Sequence, residues 1–285
     1  MLPFQRILFP VDYSDRCRSV VPYVNDMAEH FSAALTVVHA HGVGAPRFSD
    51  LDVADPEWPA AVRRLEEQRL KGFVEEAFPN KKVQSFIDIG EPDHVITKVV
   101  QHHGADLVMM PTHGHGLMRK LLLGSVTAKV LHDVSASVWT AGEQEIKPCS
   151  HAYKNIVCAV DLSEESEVIA RAALCLAKSF GSKLTLAHVV EIPPPNLDVD
   201  FSAFKQDLED AANFGLGDLK AKLNADVPHI ALVSKLTADG VREAAVSCNA
   251  DLIVVGRGRS QGGVSRIWSR LYNIVREAPC PVLSI

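Results

Sequence analysis

The apolar and polar positions of this chain alternate between two periods. Arg6 to Val11 is a short apolar run of strand character, and Asp12-Tyr13-Ser14-Asp15 behind it carries the residues that cap a helix start. From Asp15 to Phe31 the apolar residues recur at helical spacing, with Val20, Val21, Val24, Met27, Ala28 and Phe31 near one face. Leu35 to Ala40 is apolar on both faces, as a parallel strand covered by helices is. His41 to Asp55, rich in Gly, Pro and Asp, reads as a loop. A helix from Glu57 to Phe78 then turns Ala61, Leu65, Phe73 and Ala77 inward and is stopped by Pro79-Asn80. Val83 to Ile87 predicts a third strand, Asp93 to His102 a helix, Leu107 to Met110 a fourth strand and Val134 to Thr140 a fifth.

The same succession is then written again. Arg6-Ile7-Leu8-Phe9-Pro10-Val11-Asp12-Tyr13-Ser14 returns 149 positions later as Asn155-Ile156-Val157-Cys158-Ala159-Val160-Asp161-Leu162-Ser163. Leu35-Thr36-Val37-Val38-His39 returns at that offset as Leu184-Thr185-Leu186-Ala187-His188, and Gly104-Ala105-Asp106-Leu107-Val108 as Asn249-Ala250-Asp251-Leu252-Ile253 at a slightly shorter one. Two copies of one domain follow, spanning 1–141 and 153–285, with 142–152 as the linker. Strands alternating with helices specify α/β architecture: two tandem doubly wound, mostly parallel sheets of five strands each. Such sheets bind ligands at the carboxyl ends of their strands where strand order reverses, which is where Asp12, Val38 and Met110 fall.

Composition narrows the function classes. The 285 residues are 47% hydrophobic and 22% charged, an ordinary globular balance, and no apolar run approaches the roughly 18 residues of a membrane span. The first residues lack the basic, apolar and cleavage regions of a signal peptide, so a cytoplasmic location is expected. A formal net charge of −6 argues against nucleic acid or an anionic membrane as a general partner. Cys17, Cys149, Cys158, Cys175, Cys248 and Cys280 are scattered without the spacing of a redox or thiolate-metal motif. His39-x-His41 and His113-x-His115 are the pairs that tempt a metal argument, but neither has a third carboxylate or thiol ligand nearby in sequence. They read as polar residues at strand ends, and no metal site is expected.

The chemistry lies after the fourth strand, where Met110-Pro111-Thr112-His113-Gly114 is followed by nine residues and then Gly124-Ser125-Val126-Thr127 at a helix start. Glycines let the backbone approach a ligand, and the helix start offers unpaired N–H groups, the positive dipole end and two hydroxyls. This arrangement resembles the universal stress protein family, whose nucleotide-binding members carry Gly-x2-Gly-x9-Gly-Ser/Thr here and an Asp ending strand one. The resemblance covers nearly the whole chain, twice, and implies a Rossmann-like, flavodoxin-like fold. Carried over, it implies that Pro10, Val11 and Asp12 at the end of strand one, together with Val38, hold adenine, and that Met110 walls the site. It assigns Gly114, Gly124, Ser125, Val126 and Thr127 to ribose and phosphates, with ATP, alone or with Mg²⁺, as the ligand. One position departs: the motif's first glycine is Pro111, which removes an N–H and fixes φ near −65°.

In the second copy the motif is lost. Counting back from Ala278-Pro279-Cys280-Pro281-Val282 puts Trp268-Ser269 where Gly-Ser belongs, and tryptophan would fill space a phosphate needs. Asp161 survives, in the manner of a helix cap. Arg257, Arg259, Arg266, Arg270 and Arg276 make this region basic, either as ion-paired surface or as a patch for an anion or acidic partner. The resemblance therefore implies a cytoplasmic stress-response protein that binds an adenine nucleotide in its first domain. The second domain would be structural or regulatory, pairing with the first as an internal pseudo-dimer through Ser137 to Ala141 and Val282 to Ile285. Pairing of two chains, an unidentified protein partner, a nucleotide-free scaffold, and slow ATP hydrolysis or phosphorylation on Ser125 or Thr127 stay open beside it. No Gly-Lys-Ser/Thr element or evident base is present, and Arg119 and Lys120 are the nearest loop cations.

Overall fold

The computed structural model describes residues 4–42, 60–114, 123–142, 153–192, 204–258 and 264–285, with backbone alone at 60–61 and 264–268. The first repeat runs β1 (Arg6–Val11), α1 (Asp15–His30), β2 (Ala34–His41), α2 (Ala60–Ala77), β3 (Val83–Ile89), α3 (Pro92–His103), β4 (Leu107–Pro111), α4 (Ser125–Asp133) and β5 (Ser137–Ala141). Its strand order is β3-β2-β1-β4-β5. β1 pairs in parallel with β2, Val11 opposite His39, and with β4, Ile7 opposite Leu107. The chain thus builds outward from β1 to β3, then returns to the other side of β1, and the gap between the ends of β1 and β4 is the switch point of the sheet.

The second repeat copies the plan: β6 (Asn155–Ala159), α5 (Ser166–Phe180), β7 (Lys183–Glu191), α6 (Lys205–Leu223), β8 (His229–Ser234), α7 (Thr237–Ser247), β9 (Leu252–Val255), α8 (Val264–Glu277) and β10 (Val282–Ser284). Strand order is β10-β9-β6-β7-β8, with parallel pairs throughout. The architecture is the expected α/β one. Compactness divides the described residues into one unit that runs from Phe4 through Gly114 and takes in Gly124–Val138, and a second that begins at Trp139 and includes Leu123. Trp139–Ala141 therefore groups with the second unit, where the buried Trp139 Nε1 donates to Tyr153 Oη at 2.9 Å.

The inward faces differ in detail from the sequence pattern. On α1, Cys17, Val20, Tyr23, Val24, Met27 and Ala28 are buried, while Val21 and Phe31 are half-buried and Phe31 meets Phe4 edge to face at 5.6 Å. On α2, Phe73 points into the core as expected, but Leu65 is 64% exposed and Leu70 takes its place inside. The helix is rotated from the expected face, which brings Glu66, one turn before Leu70, to the sheet side. No helix among the described residues is long and apolar enough to cross a membrane.

Candidate functional site

The site begins with the turn between β1 and α1. Ser14 caps α1 by accepting from the Cys17 N–H at 3.1 Å, and Asp12 Oδ1 in turn accepts from the Ser14 N–H at 3.0 Å and the Ser14 hydroxyl at 2.7 Å. Tyr13 between them sits at φ 64°, and its counterpart Leu162 at φ 61°. A left-handed backbone at a bulky residue costs about 1–2 kcal/mol, and finding it at the same turn in both copies makes it a property of the domain.

Across the switch point, β4 ends at Pro111, which is buried. Its carbonyl accepts from the Thr127 hydroxyl at 3.0 Å, and the Thr112 carbonyl accepts from the Gly124 N–H at 2.9 Å. These two bonds dock the first turn of α4 against the strand end. Gly124 is the N-cap, so the N–H groups of Ser125, Val126 and Thr127 have no acceptor within the helix. A Cβ on Gly124 would lie 3.0 Å from the Thr112 carbonyl oxygen and 3.4 Å from His113 Cα, and one on Gly114 would collide with Asp12 Oδ2. Arg16 Nη1 donates to the Gly114 carbonyl at 3.1 Å. Burial and the Arg16 charge hold His113 below the usual imidazole range, and its Nδ1 is hydrogen-bonded to Thr112 Oγ1 at 3.0 Å.

The structure thus brings Asp12, Pro111, Gly114, Gly124, Ser125 and Thr127 to one end of the sheet, with Val11 and Met110 ending the buried runs of β1 and β4. Pro111 terminates the strand there. Val38, expected at the switch point, is instead buried in β2 opposite Pro10, short of the strand's end at His41 and separated from β4 by β1. Thr127 is 2% exposed with its hydroxyl already committed to Pro111, so its side chain supports the cradle rather than facing into it. His115, Arg119 and Lys120 lie outside the described residues.

The second domain diverges where the sequence does. Helix α8 starts at Val264, five residues before Ser269, so its N-terminus is advanced by about 7.5 Å over the position α4 would give it. Asp161 Oδ1 accepts from the Ser163 N–H at 3.0 Å and the Ser166 hydroxyl at 2.9 Å, so it braces the turn between β6 and α5 rather than capping the helix, whose N-cap is Glu165 without a side-chain bond. A cavity of about 340 Å³ nevertheless remains here, lined by Asp161, His188, Glu191, Gly256, Gly258 and Arg270 among others. The Trp268 side chain lies outside the described residues. Of the arginines, Arg257 is 4% exposed, Arg270 pairs with Glu191 at 3.1 Å, and Arg276 pairs with Glu277 at 2.8 Å. These three are buried or paired, while the Arg259 and Arg266 side chains lie outside the described residues.

Sequence reasoning missed Glu66. Placing Leu65 inward turns Glu66 away, whereas in the structure its side chain is 14% exposed and lies beside His39. His39 packs against Tyr13 with ring centroids 4.6 Å apart and the rings tilted by 37°, and burial keeps its pKa below the usual value. The helical period through Leu70 and Phe73 was the available signal.

Comparison with known proteins accords with this geometry. The model of the universal stress protein family matches residues 3–141 and again 152–285. A Staphylococcus haemolyticus protein named as a universal stress protein is 27% identical over 149 residues, covering 51% of this chain and 89% of its own. A solved universal stress protein from Archaeoglobus fulgidus superposes with a TM-score of 0.70 at 20% identity, covering 99% of this chain and 98% of its own. A functionally unknown protein from Pseudomonas aeruginosa gives 0.65 at 13%, covering 99% and 92%. At these identities the structural likeness is one of fold.

Proposed function

The chain belongs to the universal stress protein family, and on that premise we propose that it is a stress-response protein whose first domain binds an adenine nucleotide, ATP foremost. The observation that carries this reading is the docked start of α4. Its free N–H groups sit beside two glycines whose missing Cβ atoms keep the approach open. An anion there gains the helix dipole and charge-assisted hydrogen bonds without rearrangement of the backbone. In this proposal the end of β1 with Asp12, together with Val38, receives the base, Gly114 and the start of α4 receive the ribose and phosphates, and Mg²⁺ accompanies the phosphates. The second domain, with its helix start advanced, acts structurally or as a regulator. The cytoplasm is the expected setting; the free thiols of Cys17, Cys158, Cys175, Cys248 and Cys280 are in keeping with a reducing compartment.

The test is isothermal titration of ATP with Mg²⁺ into the wild type and into Gly124→Asp, both checked for folding by circular dichroism. Asp at this position puts a side chain against the Thr112 carbonyl and a negative charge at the phosphate end of the helix. One site per chain in the wild type, lost in the variant, supports the proposal. No heat in the wild type, with no nucleotide released on denaturing it, overturns it in favour of a scaffold. Phosphate release that disappears in Ser125→Ala marks an enzyme.

A further inference from the structure

His39 has a role that both domains share. Its Nδ1 donates to the Val11 carbonyl at 2.8 Å, and His188 Nδ1 donates to the Val160 carbonyl at 2.8 Å. A carbonyl accepts only, so the bond sets the tautomer and leaves Nε2 as the lone-pair nitrogen of the neutral ring. The domains differ in what that nitrogen faces. In the first, β2 continues to His41 on the same side of the strand, and the rotated α2 delivers Glu66. In the second, the residue at the repeat offset from His41 is Val190.

One ligand atom from each of His39, His41 and Glu66 lies within 4.8 Å of the others, the one three-ligand cluster among the described residues. His39 Nε2 and Glu66 Oε2 are 3.9 Å apart, too far for a hydrogen bond. Glu66 Oε2 is buried and accepts no hydrogen bond among the described residues. A buried carboxylate oxygen aimed at an imidazole lone pair is unfavourable unless a cation lies between them. The shared fold accounts for His39 but not for His41 and Glu66 beside it.

We propose that His39, His41 and Glu66 bind a divalent first-row transition-metal ion such as zinc, with at least one coordination position left for water or a further ligand. Two imidazoles and one carboxylate suit such an ion, whereas Mg²⁺ and Ca²⁺ favour all-oxygen sets. Ligand atoms around a tetrahedral zinc stand about 3.4 Å apart, given bond lengths of about 2.0–2.1 Å, so the observed spacing closes by side-chain adjustment. The His39 bond to the Val11 carbonyl is the outer-shell support that orients a metal-binding imidazole. The neighbouring cation, Arg69, lies over the Tyr13 ring at 4.2 Å from its centroid.

The experiment uses tag-free, chelator-treated full-length protein, with zinc measured by equilibrium dialysis and mass spectrometry, and cobalt as a spectroscopic probe. The expected result is one zinc per chain, with affinity falling at least tenfold in Glu66→Gln and in His41→Gln. Both variants keep side-chain volume and are checked by circular dichroism. The cobalt form should show ligand-field bands without a thiolate charge-transfer band. Absence of bound zinc, binding in both variants as tight as in the wild type, or a thiolate band that places the ion on cysteine would overturn the proposal. Nucleotide titration of Glu66→Gln separates this site from the one at α4, since loss of zinc with retained ATP binding is the expected pattern.

Discussion

Replacing Gly114 by alanine is expected to loosen the first domain only while Asp12 is present. Gly114 does not adopt a left-handed φ, so the backbone tolerates a side chain; the obstacle is Asp12 Oδ2, which the new Cβ would overlap. Asp12 cannot swing aside freely, because Oδ1 holds the Ser14 N–H and hydroxyl that start α1. A hydrogen bond to a charged group contributes about 1.5–3 kcal/mol, and since Asp12 is only half-buried the loss of this pair is set at that range in total. Hydrogen exchange of the β1 peptide in the intact chain should then quicken by about 10- to 150-fold. In an Asp12→Ala background the obstacle is gone. There Gly114→Ala should instead slow exchange about two- to fivefold, since alanine restricts the unfolded chain by about 0.4–1 kcal/mol. An equal cost in both backgrounds would show that contact with Asp12 is not what reserves this position for glycine.

Three further outcomes follow from the same structure. Thr127→Val keeps the shape of a buried residue but removes the donor to the Pro111 carbonyl, and should destabilise the α4 peptide by about 1–2 kcal/mol, read as about 5- to 30-fold faster exchange. Burial pushes the Cys17 and Cys158 thiols up to about 12, so timed iodoacetamide labelling at pH 8 should modify the exposed Cys175 first and reach these two only on unfolding. Burial raises the Asp161 carboxyl, but hydrogen bonds from Ser163 and Ser166 outweigh it and hold it below its ordinary value. Its stabilisation is therefore complete above the unfolded carboxylate pKa and lost as pH falls through the lower folded one. Acid titrations of unfolding should show a shallower loss for Asp161→Asn than for the wild type, and identical slopes would refute the role.

The sequence alone determined the repeat, the order of strands and helices, and the position of the switch point, because these rest on local periodicity and on offsets that need no third dimension. It also located the cradle, since a glycine pair and a helix start are read from neighbours in the chain. Tertiary structure decided which way each helix is turned. Leu65 was as good an inward companion for Phe73 as Leu70 until α2 met the sheet, and the choice between them is what carried Glu66 to His39. It likewise decided that Gly114 lies against Asp12, a contact between two loops just over a hundred residues apart. Arg257, Arg270 and Arg276 form a charged cluster in the chain but not an open patch in space, because burial and the carboxylates of Glu191 and Glu277 absorb them. Charge and hydropathy belong to a residue; the partner that gives them an effect belongs to the fold.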